Sequence, residues 1–142
     1  MYECSKDEEL IFQRMFELNK KLTSKFERCT GISQSRLEIL RELFYAEEIT
    51  QRALQKKVNI DHAAVTRHLK QLEENGMVIR RKNPEDNRFT YVQLTDEGKR
   101  KVAAYCEEKQ RFITNVLKGF SEEESSKLLD ILTRIQENIE EI

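Results

Sequence analysis

A helical hydrophobic period that stops at Asn75-Gly76 and gives way at once to an alternating β-branched pattern constrains what residues 50–98 can become. Ahead of the junction, Ile60, Val65, Leu69 and Leu72 recur at helical spacing and form one apolar stripe. Asp61 stands at the start of that stripe, where a side-chain oxygen can accept from the open N–H groups of a first turn. Upstream, Thr50 is placed to cap a short helix with Ala53, Leu54 and Val58 on its inner side, and a tight turn joins the two helices. Past Gly76, which adopts a left-handed backbone without steric cost, residues 77–82 and 89–94 read as paired strands. The six residues between them, from Asn83 to Arg88, are turn chemistry and include the chain's only proline, Pro84. The order is therefore helix, turn, helix, then a two-stranded ribbon with a basic tip.

The second helix has a distinctive outer face. With Val65, Leu69 and Leu72 inward, His62, Ala63, Thr66, Arg67 and Lys70 face outward. Small residues beside an arginine, a threonine and a lysine suit close approach to base edges in a major groove. There Arg67 offers a fork of donors to guanine and Lys70 a charge to phosphate. Such a face on an isolated amphipathic helix would be an ordinary solvated surface; the ribbon beside it changes the weighing. Arg80, Arg81, Lys82 and Arg88 lie near its tip and suit the sugar-phosphate backbone. Arg88 fits a narrow minor groove, with Asp86 two residues away to hold its guanidinium by a charge-assisted hydrogen bond.

The combination resembles the MarR family (multiple antibiotic resistance regulators) of winged helix-turn-helix DNA-binding proteins. The matching runs are Ile49-Thr50-Gln51-Arg52-Ala53-Leu54, Val65-Thr66-Arg67-His68-Leu69 and Leu72-Glu73-Glu74-Asn75-Gly76-Met77-Val78. Most specific are Asp86-Asn87-Arg88 and the Val92-Gln93-Leu94-Thr95 run that leads to Gly98. Asn87 departs from the pattern, since many members carry a second basic residue there. The resemblance implies a mainly α fold with a small β-hairpin: a winged helix-turn-helix over residues 34–98, flanked by dimerisation helices at 8–30 and 99–142 in a single domain of 142 residues. It implies double-stranded DNA as partner, contacted by His62, Ala63, Thr66, Arg67, Lys70, Arg81, Lys82, Asp86, Asn87 and Arg88. It also implies a homodimer on an inverted-repeat operator, commonly acting as a repressor released by a small phenolic or anionic effector. By position, Phe26, Leu40, Phe44 and Tyr105 line the corresponding effector cleft, though each also reads as core.

The flanks fit that organisation. Ile11, Met15, Leu18, Leu22, Phe26 and Cys29 form a continuous seam, which Phe12 and Phe16 widen beyond what one packing partner covers. Gly31 ends this helix, Ser33 caps the next, and Gln34 to Tyr45 turns Leu37, Leu40, Leu43 and Phe44 inward. Thr95 caps a helix running to about Lys118, with Val102, Cys106, Phe112, Ile113, Val116 and Leu117 on its apolar side. Gly119-Phe120 breaks it, and Ser121 with Glu124 makes a capping box for a last helix whose stripe of Leu128, Ile131, Leu132, Ile135 and Ile139 persists to Ile142. A terminal helix apolar to its final residue is hard to explain in a monomer, so a second copy is expected to interleave with it.

A formal charge of −1 hides an uneven distribution: residues 50–101 carry 12 Lys/Arg against 7 Asp/Glu, net +5, between flanks of −2 and −4. The electrostatic footprint for nucleic acid thus falls on the reading segment. With 38% hydrophobic and 36% charged residues, and no apolar run near the roughly 18 residues a bilayer requires, the chain is expected to be soluble and without membrane partners. Residues 1–9 lack an apolar signal-peptide core, so a cytoplasmic location is expected.

Other chemistries find less support. Cys4, Cys29 and Cys106 make an odd count, which points to reduced thiols. A thiol-based redox sensor of the same fold is the first alternative, with Cys4 as its candidate despite Glu3 and Asp7 beside it, while Cys29 and Cys106 read as inert fillers on apolar stripes. His62 and His68 are the only histidines and no Cys or His pair has zinc-ligand spacing, so no metal or cofactor is expected and His68 goes to packing or capping. No phosphate-binding glycine loop, HExxH or Gly-x-Ser-x-Gly motif is present, so catalysis is not expected. A non-specific architectural DNA binder is the remaining alternative.

Overall fold

The computed structural model describes residues 3 and 5–142. The chain divides into two compact units, residues 1–109 and 110–142. The first contains α1 (Lys6–Thr30), α2 (Gln34–Ala46), β1 (Glu48–Thr50), α3 (Gln51–Lys57), α4 (His62–Glu74), β2 (Val78–Lys82), β3 (Thr90–Leu94) and most of α5 (Asp96–Val116). The second holds the end of α5 and all of α6 (Glu122–Glu140).

Local chemistry sets the boundaries. Ser5, Ser33, Thr50, Asp61 and Ser121 each accept from the backbone N–H three residues on, covering a first-turn donor that would otherwise be left to water. Ser121 and Glu124 complete the reciprocal capping box. Gly31 closes α1 at φ +81 with its N–H on the carbonyl of Glu27.

The expected hairpin is one part of a three-stranded antiparallel sheet ordered β1-β3-β2. Arg80 faces Val92 and Lys82 faces Thr90 across the wing, while Ile49 faces Val92 on the other side of β3. Strand β1 escapes a sequence reading because three residues are too few for an alternation to register, and its partner lies far along the chain.

Leu37, Ile39, Leu40, Leu43, Leu54, Val65, Leu69, Leu72 and Val92 lose essentially all contact with solvent and form the core behind the reading segment. Ile39 replaces Phe44 in the anticipated inward set of α2: Phe44 is 44% exposed and packs edge-to-face on the neighbouring Tyr45 ring. A second fixed point lies where α5 begins. Thr95 Oγ1 accepts from Gly98 N at 3.0 Å and donates to the carbonyl of Gly76 at 2.7 Å, so one hydroxyl caps α5 and ties it to the turn after α4.

The helices flanking the core carry a large uncovered apolar surface. On α1, Leu10, Ile11, Phe12, Phe16, Leu18 and Leu22 are exposed, as are Leu128, Leu129, Ile131, Leu132 and Ile139 on α6. Cys29, expected as a buried filler, is exposed, and Cys106 is half-buried. Among the described residues, no helix is long and apolar enough to cross a membrane.

Candidate nucleic-acid interface

Helix α4 presents the face that its periodicity implies. Val65, Leu69 and Leu72 are buried, while His62, Ala63, Thr66, Arg67 and Lys70 are exposed. Asp61 Oδ2 accepts from Ala64 N at 3.3 Å, leaving the first turn of the helix ordered at the end that would meet base edges. Among the described residues, Arg67 and Lys70 form no ion pair, so both charges remain available to an external anion. Thr66 has partners within the protein: its Oγ1 donates to the carbonyl of His62 at 3.1 Å, and Gln51 Nε2 from α3 stands 3.5 Å away, the outer limit for a hydrogen bond.

At the wing tip, backbone hydrogen bonds from Asn83 N to Phe89 O (2.9 Å), Asp86 N to Asn83 O (3.2 Å) and Phe89 N to Asp86 O (3.1 Å) fix the loop. Asn83 Oδ1 also accepts from Glu85 N at 2.9 Å. Inside this frame Asp86 takes Arg88 in a two-pronged grip, Nε to Oδ1 at 3.0 Å and Nη2 to Oδ2 at 2.8 Å, and accepts the Arg88 backbone N–H at 3.1 Å. The Arg88 hydrogen bonds hold the Asp86 carboxyl below the usual carboxylate range, and the same pairing raises Arg88 above its ordinary value. The Arg88 side chain is nonetheless 84% exposed, so the clamp aims a charged fork into solvent without covering it. Asn87, the residue between them, is also exposed.

The other basic residues of the ribbon divide. Arg80 turns back to α4 and pairs with Glu73 through Nη2–Oε1 at 3.0 Å and Nε–Oε2 at 3.3 Å; this hydrogen bonding lowers the Glu73 pKa. Arg81 crosses the sheet, its guanidinium 4.6 Å from the centre of the Tyr91 ring, to reach Glu48 Oε1 on β1 at 2.7 Å. Lys82 is exposed and forms no ion pair among the described residues. A sequence reading that clusters all four basic residues at the tip misses this, because the carboxylate partners of Arg80 and Arg81 come from other elements.

Two neighbouring grooves with lining residues in common run along the base of the wing. One of about 320 Å³ is lined by Gln51, Glu73, Arg80, Arg81, Lys82 and Thr90. The other, of about 190 Å³, is lined by Thr50, Gln51, Arg52, Gln55, Arg88, Phe89 and Thr90. Gln51 and Thr90, both half-buried, border both grooves, so the first residue of α3 lies beside the wing. Gln51, Arg52 and Gln55 belong to the same polar surface. Helical spacing does not single out the two glutamines, since Gln51 lies three residues from Leu54 and Gln55 three from Val58 on the side that reads as inner.

The residues singled out for an effector lie in different settings. Leu40 is wholly buried and Phe26 nearly so, Tyr105 is half-buried, and Phe44 is exposed. Cys4 lies outside the described residues. His68 is half-buried between α4 and α2, where its Nδ1 accepts from Arg36 Nε at 3.3 Å, a structural partner rather than an open face.

Comparisons with known proteins agree with this geometry. The MarR family model matches residues 32–90, from just after α1 to the first residue of β3. An uncharacterized HTH-type transcriptional regulator of Bacillus subtilis (strain 168), YdgJ, is 54% identical over 98% of this chain and 84% of its own length. The HTH-type transcriptional repressor YetL of the same organism is 28% identical over 91% of this chain and 80% of its own. Among solved structures, a mutant of E. coli MarR complexed with operator DNA superposes with a TM-score of 0.77 at 24% identity, covering 94% of this chain and 99% of that one. The organohalide-sensing regulator RdhR in its 2,4-dichlorophenol-bound form gives 0.83 at 18% identity, covering 92% and 80%. The exposed reading helix, the clamped wing arginine and these relatives together make the chain a member of the MarR family, a winged helix-turn-helix transcriptional regulator that binds DNA.

Proposed function

We propose that the chain acts as a homodimer that represses transcription from a palindromic operator and is released by a small phenolic or anionic ligand. The observation that carries the dimer is the apolar surface on the flanking helices, with Phe12 and Phe16 each 55% exposed and Leu129 67% exposed. Exposed apolar area on this scale, running along helices that are otherwise well capped, matches an interface surface better than a solvated one. A two-fold pair of reading helices addresses inverted half-sites about one helical turn apart, roughly 34–36 Å. In that arrangement His62, Ala63, Thr66, Arg67 and Lys70 meet the major groove, while Lys82, Asn87 and the Asp86-held Arg88 meet the flanking backbone and minor groove. Arg81 contributes as the brace that holds Tyr91 and Glu48 beneath the wing.

Repression is supported by the relative named as a repressor, and ligand release by the structural neighbour bound to 2,4-dichlorophenol. Selection of bound sequences from a random duplex pool tests the reading directly. Enrichment of an inverted repeat, with one dimer per duplex by sedimentation, is expected. Recovery of no common sequence, or a monomer at micromolar concentration, overturns it.

A further inference from the structure

The hydroxyl of Thr66 is already spoken for. Its hydrogen goes to the His62 carbonyl one turn back on α4, at 3.1 Å, and Gln51 Nε2 of α3 stands 3.5 Å from the same oxygen. Back-bonding to the preceding turn is common for threonine in helices, and Thr23, Thr114 and Thr133 do the same here. Thr66 differs in two respects: it lies on the reading face between Ala63 and Arg67 in the chain, and a donor from a separate helix stands at the outer limit of hydrogen-bond distance from its oxygen. Because threonine is branched at Cβ, fixing the hydroxyl in one staggered position fixes the methyl as well. The group left without a partner at this point of the reading face is therefore apolar.

We propose that Thr66 is a specificity-determining residue that recognises the 5-methyl group of a thymine, with Gln51 as its positioning residue. Thymine is the one DNA base that places an apolar group on the major-groove edge, so a methyl presented between two base-reading positions selects it. Ala63, exposed one turn earlier, leaves room for the approach because its side chain ends at Cβ. Gln51 reaches Thr66 from the groove shared with the wing, so the selectivity of α4 depends on a side chain of α3 that itself needs no contact with a base.

The inference rests on the operator-binding reading above, and its test separates the two. A duplex selected from a random pool is remade with deoxyuridine in place of each thymine in turn, which removes one methyl and leaves every hydrogen-bonding group intact. At one thymine per half-site the wild-type protein is expected to lose about four-fold in affinity, the amount one apolar carbon is worth when taken out of water. Thr66→Ser keeps the hydroxyl and removes the methyl; it should bind the two duplexes equally. Thr66→Val removes the hydroxyl and keeps the methyl, and valine in a helix is held in one staggered position by its own branching where threonine divides between two; it should retain the thymine-to-deoxyuridine ratio without help from Gln51. Gln51→Ala should move that ratio toward one, whereas a purely structural loss would weaken both duplexes alike and leave it unchanged. If no operator is selected, the operator-binding reading falls and this inference with it. If an operator is selected but its half-sites hold no methyl-sensitive thymine, only this inference is overturned. It is equally overturned if Thr66→Ser keeps the sensitivity or Thr66→Val abolishes it, since another group, or the hydroxyl, would then be the reader.

Discussion

Arg36 of α2 donates its Nε–H to Nδ1 of His68 on α4 at 3.3 Å, and its Nη2 donates to Gln71 Oε1 on the same helix. A guanidinium has no acceptor to offer, so His68 must present a bare Nδ1 and carry its hydrogen on Nε2. Of the two bonds by which Arg36 fastens the inner side of the reading helix to α2, the one to His68 exists only while that imidazole is neutral.

This fastening predicts a pH dependence. Burial, then the charge of Arg36, then that of Arg67 hold the His68 pKa below its ordinary 6.5. The folded protein therefore binds fewer protons than the unfolded chain as pH falls below 6.5. The contribution of His68 to stability is complete above that value, declines as pH drops toward the folded pKa, and levels off beneath it. Asp86 and Glu73 are both shifted downward and so titrate below this window. Thermal midpoints measured between about pH 7.5 and 5.5 should fall for the wild type and fall less for His68→Gln. A wild-type midpoint that is flat across the window, or a variant with the same slope, would remove His68 from the account.

Gly98 is the second test of how the reading segment is held. A Cβ built there would stand 2.2 Å from the carbonyl oxygen of Met77, which also accepts the Thr95 N–H at 3.0 Å. Backbone atoms engaged on both sides cannot move aside as a side-chain tip can. Gly98→Ala should therefore lower stability by roughly 1–3 kcal/mol, the scale of overpacking, despite a helix-propensity gain of about 1 kcal/mol. Urea unfolding with an unchanged slope would register it; equal or greater stability would mean that the close approach is not real.

The features legible in the sequence are those governed by neighbours along the chain. Thr50, Asp61, Thr95 and Ser121 cap helices because capping needs a side chain and an N–H three residues apart. The outward set of α4 follows from Val65, Leu69 and Leu72 by period alone, and Asp86 grips Arg88 across two residues. Relations between distant segments were not legible: Arg81 reaching Glu48, Arg80 reaching Glu73, Gln51 reaching Thr66, and Glu48–Thr50 joining β3. Phe44 shows the limit of periodicity, since an apolar residue at an inward-looking position turns out exposed beside Tyr45.

The Asp86–Arg88 clamp carries a prediction about selectivity. Asp86→Ala frees a guanidinium that is otherwise aimed, and it also removes a negative charge from a surface meant to meet phosphate. Affinity for the selected operator should fall while affinity for random duplex DNA at the same salt stays level or rises, so the ratio of the two shrinks. The thermal midpoint should scarcely move, because the pair lies in solvent. An unchanged ratio would mean that pre-aiming of Arg88 contributes nothing.

Arg67 and Lys82 are both exposed and unpaired among the described residues, yet they belong to different parts of the interface and should fail differently. Arg67 sits on the reading face with a planar fork of donors, suited to the two acceptors that guanine shows in the major groove. Arg67→Ala should cost on the order of 1–3 kcal/mol on the selected operator and relax preference at one base position. Lys82 is the last residue of the wing strand β2 and a point charge, and the two arginines before it, Arg80 and Arg81, are tied to Glu73 and Glu48. Its contact with phosphate carries no sequence information, so Lys82→Ala should weaken specific and random duplexes by similar factors and reduce the salt slope by about one counterion. Titrations of both variants on operator and random DNA at several salt concentrations separate the two roles. If Arg67→Ala weakened every sequence equally, or Lys82→Ala altered base preference, the division of labour between α4 and the wing would have to be reversed.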